Sequence, residues 1–165
     1  MMQLKFRALD KRKDWMFFDE SLSISMEDRA TIQPLEESSS RMLWTELVSA
    51  NPRERHPMLL PRDHWIGNIV SVGPPWHAIW NAPDMPDTVA DFLRSRITWP
   101  ETTEVVFFWS RENAVQVPWG VFLRVWKAFL FDDEGPFVVC LEHPEFVCFG
   151  PTGGMGVGQR SKSPG

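Results

Sequence analysis

The sequence predicts an α+β fold, a mostly antiparallel sheet with helices packed on one face. Two strand pairs that can form hairpins flank one very apolar, tryptophan-rich helix between residues 104 and 149. Strands joined this closely cannot be linked by the long crossovers that parallel strands require. Because the helix and the hairpins each carry an apolar face, we expect them to bury those faces against one another as layers.

The length of 165 residues suits one domain, and we expect residues 1–150 to form it. Hydrophobic residues make up 43% of the chain and charged residues 24%, as in globular proteins that bury a core. Nine Trp and twelve Phe stand beside no Tyr, which excludes a phenol as a catalytic acid or nucleophile. Residues 151–165 are rich in glycine and are predicted to form a flexible tail.

The first hairpin and the helix after it are the clearest local patterns. Residues 104–109 are apolar and β-branched or aromatic, and residues 114–117 can return beside them as a second strand. Pro118 suits the first position of a helix. Aromatic residues then recur every three or four positions, as Trp119, Phe122, Trp126 and Phe129. This spacing predicts a helix at the centre of the core.

The second predicted hairpin, residues 137–141 and 146–149, carries both cysteines of the chain. A loop of two or four residues would place Cys140 opposite Val147 and turn the two thiols to opposite faces of the sheet. A loop of three residues would set Cys140 against Cys148 instead. We expect the first arrangement, with both thiols reduced and unbridged.

The N-terminal part is less regular. Residues 3–9 and 15–18 are predicted to form short strands. A helix is expected to begin at one of residues 38–40, because serines favour the position that caps a helix, and to end before Pro52. Its apolar residues recur at helical spacing, so one side of this helix is expected to face the core.

Proline dominates the middle of the chain. Residues 51–86 hold half of the fourteen prolines and are expected to be mostly loop, because proline lacks the backbone donor that helices and sheets use. Asp84 or Asp87 can then cap a helix that ends near Arg96. Trp76 and Trp80 are the tryptophans most open to stacking on a small ligand, although no convergent polar groups accompany them.

Charge and hydropathy limit the classes of partner. The net charge is −5 and the isoelectric point is near 5.4, which disfavours binding to nucleic-acid phosphates. No apolar stretch reaches the roughly eighteen residues of a membrane span, and the charged N-terminal segment is unlike a signal peptide. We therefore expect a cytoplasmic protein with neither nucleic-acid nor membrane partners.

The sequence predicts no metal and no cofactor. Only His143 lies near the two cysteines, whereas zinc takes about four ligands. The glycine-rich residues 153–161 have the spacing of a phosphate-binding loop, but Gln159 stands where such a loop needs lysine.

Several short motifs resemble a small bacterial family catalogued as a domain of unknown function. They are Lys13-Asp14-Trp15, Ile32-Gln33-Pro34-Leu35, Leu43-Trp44, and Trp119-Gly120-Val121-Phe122 with Trp126, Phe129 and Leu130. The resemblance covers roughly residues 13–50 and 104–150 and implies no activity. The closing hairpin, helix and hairpin are also similar in style to bacterial immunity proteins, which are small, acidic and cytosolic and neutralise toxins.

The leading functional hypothesis rests on the acidic residues around the second hairpin. Five acids lie between Leu130 and Gly150 with no base among them: Asp132, Asp133, Glu134, Glu142 and Glu145. If both acidic turns lie at the same end of the sheet, their carboxylates form one negative patch that can steer a basic protein. The sequence therefore favours a non-catalytic cytosolic interaction module of bacterial type, in the manner of an immunity protein.

The alternative is a small enzyme or an anion-binding protein that uses the loop from Arg53 to Trp65. Three arginines in this loop could bind an anion, namely Arg53, Arg55 and Arg62. Three further residues could move protons, namely His56, Asp63 and His64. No serine or cysteine nucleophile stands in a recognised turn context, which weighs against catalysis.

Overall fold

The computed structural model describes residues 3–131 and 134–160, and it confirms the predicted α+β class. Its seven strands are β1 (Gln33–Pro34), β2 (Ile69–Val72), β3 (Glu104–Ser110), β4 (Asn113–Pro118), β5 (Phe137–Cys140), β6 (Glu145–Phe149) and β7 (Met155–Gln159). They form one antiparallel sheet in the order β1-β4-β3-β5-β6-β7-β2. Both predicted hairpins, β3-β4 and β5-β6, are therefore present.

Short helices cover this sheet. They are α1 (Met26–Arg29), α2 (Glu37–Leu47), α3 (Trp76–Trp80), α4 (Thr88–Arg96) and α5 (Trp119–Phe129). The longest of them, α2 and α5, have eleven residues each. In the described part of the chain no helix is long and apolar enough to cross a membrane.

The sheet is buried on both faces. Helices α3, α4 and α5 pack on one face over the main core, which contains Phe107 and Val138. Helix α2 packs on the other face over a smaller second core, which contains Phe108 and Phe137. Neighbouring residues of a strand point to opposite faces, so consecutive apolar residues of β3 and β5 fill both cores.

Helix α5 lies at the centre of the main core, as the aromatic spacing predicts. All four aromatic residues of that pattern are buried. Pro118 is extended, with ψ at 141°, and so precedes the helix instead of opening it. The Trp126 indole N–H donates to both carboxylate oxygens of Asp87, at 3.1 and 3.0 Å. Because Asp87 also caps α4 by accepting the Ala90 N–H, this contact joins α4 to α5.

Hydrogen bonds from tryptophan indoles connect the helices and loops that cover the sheet. Five of them donate to backbone carbonyls: Trp44 to Glu54, Trp65 to Leu47, Trp76 to Gly150, Trp80 to Lys127 and Trp109 to Phe129. The acceptors on Lys127 and Phe129 belong to the last turn of α5, whose carbonyls lack partners within the helix. Each tryptophan thus fills core volume and satisfies a carbonyl that would otherwise be buried without a partner.

The two strands predicted near the N-terminus are wrong. Residues 3–9 contribute a single bridge, between Phe6 and Leu35, and Trp15–Phe18 is a 3₁₀ helix. In that helix the adjacent residues Met16 and Phe17 both enter the main core. A strand would point these neighbours to opposite sides, so burying both requires a helical turn.

The middle of the chain is more regular than its prolines suggest. Helix α2 confirms the helix predicted near residues 38–40, but its N-cap is Glu36 and none of the three serines caps it. Between residues 51 and 86 the structure has β2, α3 and two 3₁₀ helices, Pro57–Leu59 and Trp65–Gly67. Neither β2 nor α3 was predicted. Both prolines of the Pro74-Pro75 pair fall between β2 and α3, where neither element loses a backbone donor.

The two cysteines point to opposite faces of the sheet, as predicted. Cys140 lies in the main core, whereas Cys148 packs against the second core. The predicted register is wrong, because β6 begins at Glu145 and Phe137 lies opposite Cys148. Burial raises the pKa of the Cys148 thiol to about 11, so this sulfur stays protonated near neutral pH.

The prediction of a flexible tail is wrong for residues 155–159, which form β7 between β6 and β2. The glycines of this segment allow strands to approach closely. A Cβ on Gly158 would overlap the carbonyl oxygen of Asn68, and a Cβ on Gly156 would lie 2.8 Å from the Ile69 side chain. Glycine-rich composition here reflects close packing. Residues 161–165 lie outside the described residues.

We expect Trp126→Ala to lower the free energy of unfolding by about 3–5 kcal/mol, as for other aromatic residues removed from a core. Trp126 is 1% exposed, so the substitution leaves a cavity and also removes the indole donor from Asp87. Urea denaturation measures the loss. Trp126→Phe keeps most of the ring volume and should cost less, and an unchanged urea midpoint for Trp126→Ala would contradict the central position of α5.

Two glycines of the β7 segment should respond differently to the same substitution. Gly158→Ala should destabilise the fold by about 1–3 kcal/mol, the usual cost of overpacking. Gly154→Ala is the matched control, because a Cβ at that position meets no atom within 4 Å. Thermal denaturation of the two variants compares them. Equal melting temperatures would mean that β7 is not packed against β2 and β6.

Candidate functional site

A cavity of about 330 Å³ opens at the end of the sheet where β3 begins and β5 ends. Alternation along the strands places Glu104, Val106 and Leu141 on the face that carries the second core. Gln116 lies beside Val106 on the neighbouring strand β4. The second core ends at Val106, and the residues beyond it line the cavity. We call it the acidic cavity.

Two carboxylates supply the charge of the acidic cavity. Glu104 and Glu142 are its charged lining residues, and both are acidic. Glu104 is exposed at the start of its strand, and partial desolvation by the protein around it raises the pKa of its carboxyl above the usual value. Leu141, which is 45% exposed, adds an apolar wall next to Glu142. The cavity thus combines negative charge with an apolar surface.

Arg160, immediately after β7, holds the turn that carries Glu142. Its Nη2 donates to the carbonyl oxygens of Cys140 at 2.7 Å and of His143 at 2.8 Å. Its backbone N–H donates to the Pro144 carbonyl at 2.8 Å. Because a guanidinium has a rigid set of donors, these contacts fix the turn between β5 and β6. The segment predicted to be a tail therefore positions one side of the site.

The described acids of the predicted binding patch, Glu134, Glu142 and Glu145, are spread around strands β5 and β6. Asp132 and Asp133 lie outside the described residues. Glu134 precedes β5 and Glu142 follows it, so the two turns lie at opposite ends of that strand. Glu145 points to the main-core face, because it alternates with Val147 and Phe149, and its buried Oε2 has no hydrogen-bond partner among the described residues. The condition that both turns lie at one end of the sheet is therefore not met.

The two histidines of the alternative site have structural partners. His56 and His64 each precede a 3₁₀ helix and accept a backbone N–H at Nδ1, from Met58 and Ile66 respectively. The Nε2 of His64 lies 2.6 Å from the Val48 carbonyl oxygen. The Nε2 of His56 lies 3.2 Å from Glu134. Both imidazoles therefore act as helix caps and fasten the loop to the body of the protein.

The charged residues around these histidines lie on the surface of the loop. Arg53, Arg55, Arg62 and Asp63 are all exposed, and none of them lines the acidic cavity or the larger cavity beside Trp126. They lie on the surface of a loop whose ordered contacts come from its histidines and tryptophans.

A second and larger cavity, of about 540 Å³, lies beside a break in helix α5. Val125 departs from helical geometry there, with φ at −123° and ψ at 19°. Trp80, Asp87 and Lys127 line this cavity together with Trp126. We call it the helix-break cavity. Of the tryptophan pair predicted to be open to a ligand, Trp80 lies on its wall, whereas Trp76 is buried.

Sequence reasoning missed Glu104, which it treated as the first residue of an apolar strand. One signal could have identified this residue. Glu104 and Val106 are two positions apart, so they share a face, and a charged residue at a strand end must reach solvent or a partner. Among the described residues no three His, Cys, Asp or Glu side chains gather to hold a metal ion.

Glu104 should make the stability of the protein depend on pH. Burial favours the protonated carboxyl, so the folded protein binds this proton more tightly than the unfolded chain does. Its contribution to stability falls as the pH rises from the ordinary value of 4.5 through the raised pKa. Glu104→Gln should therefore raise the urea midpoint relative to wild type at about pH 7 more than at about pH 3. The same difference at both pH values would contradict this.

Comparison with known proteins identifies the family and nothing beyond it. No curated protein and no solved structure matches the chain. One family model, described as a protein of unknown function (DUF2947), matches residues 6–158, which include every strand and helix of the fold except the last residue of β7. The chain therefore belongs to the DUF2947 family.

Proposed function

We propose that this protein is a non-catalytic interaction module that binds a basic protein partner through the acidic cavity. The observation that carries the proposal is that Glu104 and Glu142 both line a cavity of about 330 Å³ with no cationic lining residue. Carboxylates in such a setting favour a ligand that brings its own positive charge, because an opposite charge nearby stabilises the ionised form.

The shape of the acidic cavity suits a lysine or arginine side chain. Such a side chain has an apolar stem and a charged end. Leu141 and Val106 offer apolar contacts for the stem, and the two carboxylates accept from the charged end. Thr102, Thr103 and Gln116 line the same cavity and add uncharged polar groups. One anchoring basic residue of a partner is therefore the ligand that this cavity fits best.

The charge of the whole chain supports the same partner. A net charge of −5 attracts basic proteins over distances of about a Debye length and repels acidic ones. Such attraction acts mainly on the association rate and weakens as salt is added. The histidines of the loop from Arg53 to Trp65 support the alternative enzyme less, because their ring nitrogens already contact backbone groups or Glu134.

We place this activity in the bacterial cytoplasm, in the manner of immunity proteins that neutralise toxins. The support is the acidic charge, the small size and the succession of hairpin, tryptophan-rich helix and hairpin. Fold style alone does not establish such a role. The proposed binding of a basic partner therefore rests on the acidic cavity, and substitutions in that cavity test it.

We expect an acetylated and amidated tetra-arginine peptide to bind the protein, and the double variant Glu104→Gln, Glu142→Gln to bind it at least about tenfold more weakly. Each lost charge-assisted hydrogen bond contributes about 1.5–3 kcal/mol, and about 1.4 kcal/mol is a factor of ten in affinity. Isothermal titration calorimetry at low salt measures both constants, and added salt should weaken the wild-type complex.

The matched control is the double variant Glu27→Gln, Glu46→Gln, which removes the same charge away from the acidic cavity. Glu27 is exposed on α1, and Glu46 is exposed on α2. This control should keep the wild-type affinity. If it weakens binding as much as the cavity variant does, the peptide responds only to net charge and the acidic cavity is not the binding site.

A further inference from the structure

The helix-break cavity is separate from the acidic cavity and has a different chemistry. Its wall includes the buried residues Val125, Trp126 and Ala128 of α5. Trp80 forms part of the opposite wall and is half-buried. A volume of about 540 Å³ lies within the usual range of small-molecule sites, about 300–1,000 Å³.

The break in α5 occurs without proline or glycine at the broken position. Val125 has the non-helical angles, and both its neighbours are ordinary helix-forming residues. The carbonyls of the last turn of a helix have no partner within the helix and accept from other groups. Here the Trp80 indole N–H donates to the Lys127 carbonyl at 2.8 Å. Trp80 thus stabilises the broken helix and at the same time walls the cavity beside it.

One charged side chain at this cavity forms an ion pair, and two others have no ion-pair partner among the described residues. Arg124 forms a two-point ion pair with Asp28, at 3.1 and 2.8 Å. Neither Asp87 nor Lys127 has an ion-pair partner among the described residues. Asp87 receives neutral donors only, the Trp126 indole and the Ala90 N–H. One carboxylate and one ammonium group therefore remain for a ligand.

Both single charges lie against the same indole ring. The Asp87 carboxylate binds the Nε1 edge of Trp126, and the Lys127 Nζ lies 5.8 Å from the centre of that ring. A carboxylate can accept about four hydrogen bonds, so Oδ2 of Asp87, which accepts one, can accept more. The carboxylate thus lies at the indole edge of Trp126, and the ammonium group lies over the face of the same ring.

We propose that the helix-break cavity binds a free amino acid with an apolar side chain. The ligand ammonium pairs with Asp87, the ligand carboxylate pairs with Lys127, and the apolar side chain packs against Trp80. A zwitterion satisfies both single charges together, whereas a simple anion or cation leaves one of them unpaired. The amide of Asn81 and the hydroxyl of Ser21 line the same cavity and add polar contacts at its rim.

The test is calorimetric titration of the protein with L-phenylalanine and L-leucine, together with two analogues that each lack one charge. 3-Phenylpropanoate lacks the ammonium group, and phenethylamine lacks the carboxylate. We expect at least one amino acid to bind with a Kd below about 1 mM, and both analogues to bind at least about tenfold more weakly than phenylalanine. A saturating amino acid should also raise the melting temperature, because it binds only the folded chain.

Two variants locate the ligand. Lys127→Met keeps the stem of the side chain and removes its charge, and Asp87→Asn keeps a residue that suits a helix cap. Each should weaken binding of the amino acid about tenfold or more, with Lys11→Met as the control that changes an exposed lysine elsewhere. Circular dichroism checks that each variant is folded, and either one suffices if the other does not fold.

Three results would overturn the proposal. The first is the absence of binding by both amino acids at millimolar concentration. The second is 3-phenylpropanoate or phenethylamine binding as tightly as phenylalanine, which would mean that a single charge or the apolar wall alone governs the site. Unchanged affinity in a folded Lys127→Met or Asp87→Asn protein would place the ligand elsewhere and would equally reject this cavity.

Discussion

The structure depends on the burial of helix α5, and that burial depends on indole N–H groups. Nine of the eleven residues of α5 are buried, so its C-terminal carbonyls have little access to water. Trp80 and Trp109 donate to the carbonyls of Lys127 and Phe129. Leaving such groups buried without partners costs about 1–3 kcal/mol each. A chain without tyrosine meets this need with tryptophan, which brings both ring volume and a single donor.

These indole contacts also explain the position of one of the two cavities. Trp80 binds the last turn of α5 beside the break at Val125, and the helix-break cavity lies between them. The acidic cavity arises differently, because the second core ends at Val106 while β3 continues to Glu104. Each cavity thus lies where close packing ends, one beside the break in α5 and the other beyond the end of the second core. Their chemistry differs, since the first offers one charge of each sign and the second offers two carboxylates.

The two functional sites predicted from the sequence contact each other in the structure. Glu134 of the first acidic turn lies 3.2 Å from His56 of the proton-transfer alternative. This contact joins the loop to the sheet. Glu142 of the predicted patch lines the acidic cavity, where Glu104 accompanies it. A chain position on a turn indicates exposure, but only the register of the strands decides which carboxylates become neighbours.

The sequence by itself determined the elements whose signals are local. The aromatic spacing of α5, the β-branched run of β3 and the cap of α4 at Asp87 follow from contacts within a few residues. Tertiary structure alone decided that the glycines of β7 belong in the sheet, because Gly158 is required by the approach of Asn68, ninety residues earlier. It also decided that His64 contacts the Val48 carbonyl and that Glu104 lines one cavity with Glu142. Local patterns report backbone preference and burial, whereas a site depends on distances between segments that only packing sets.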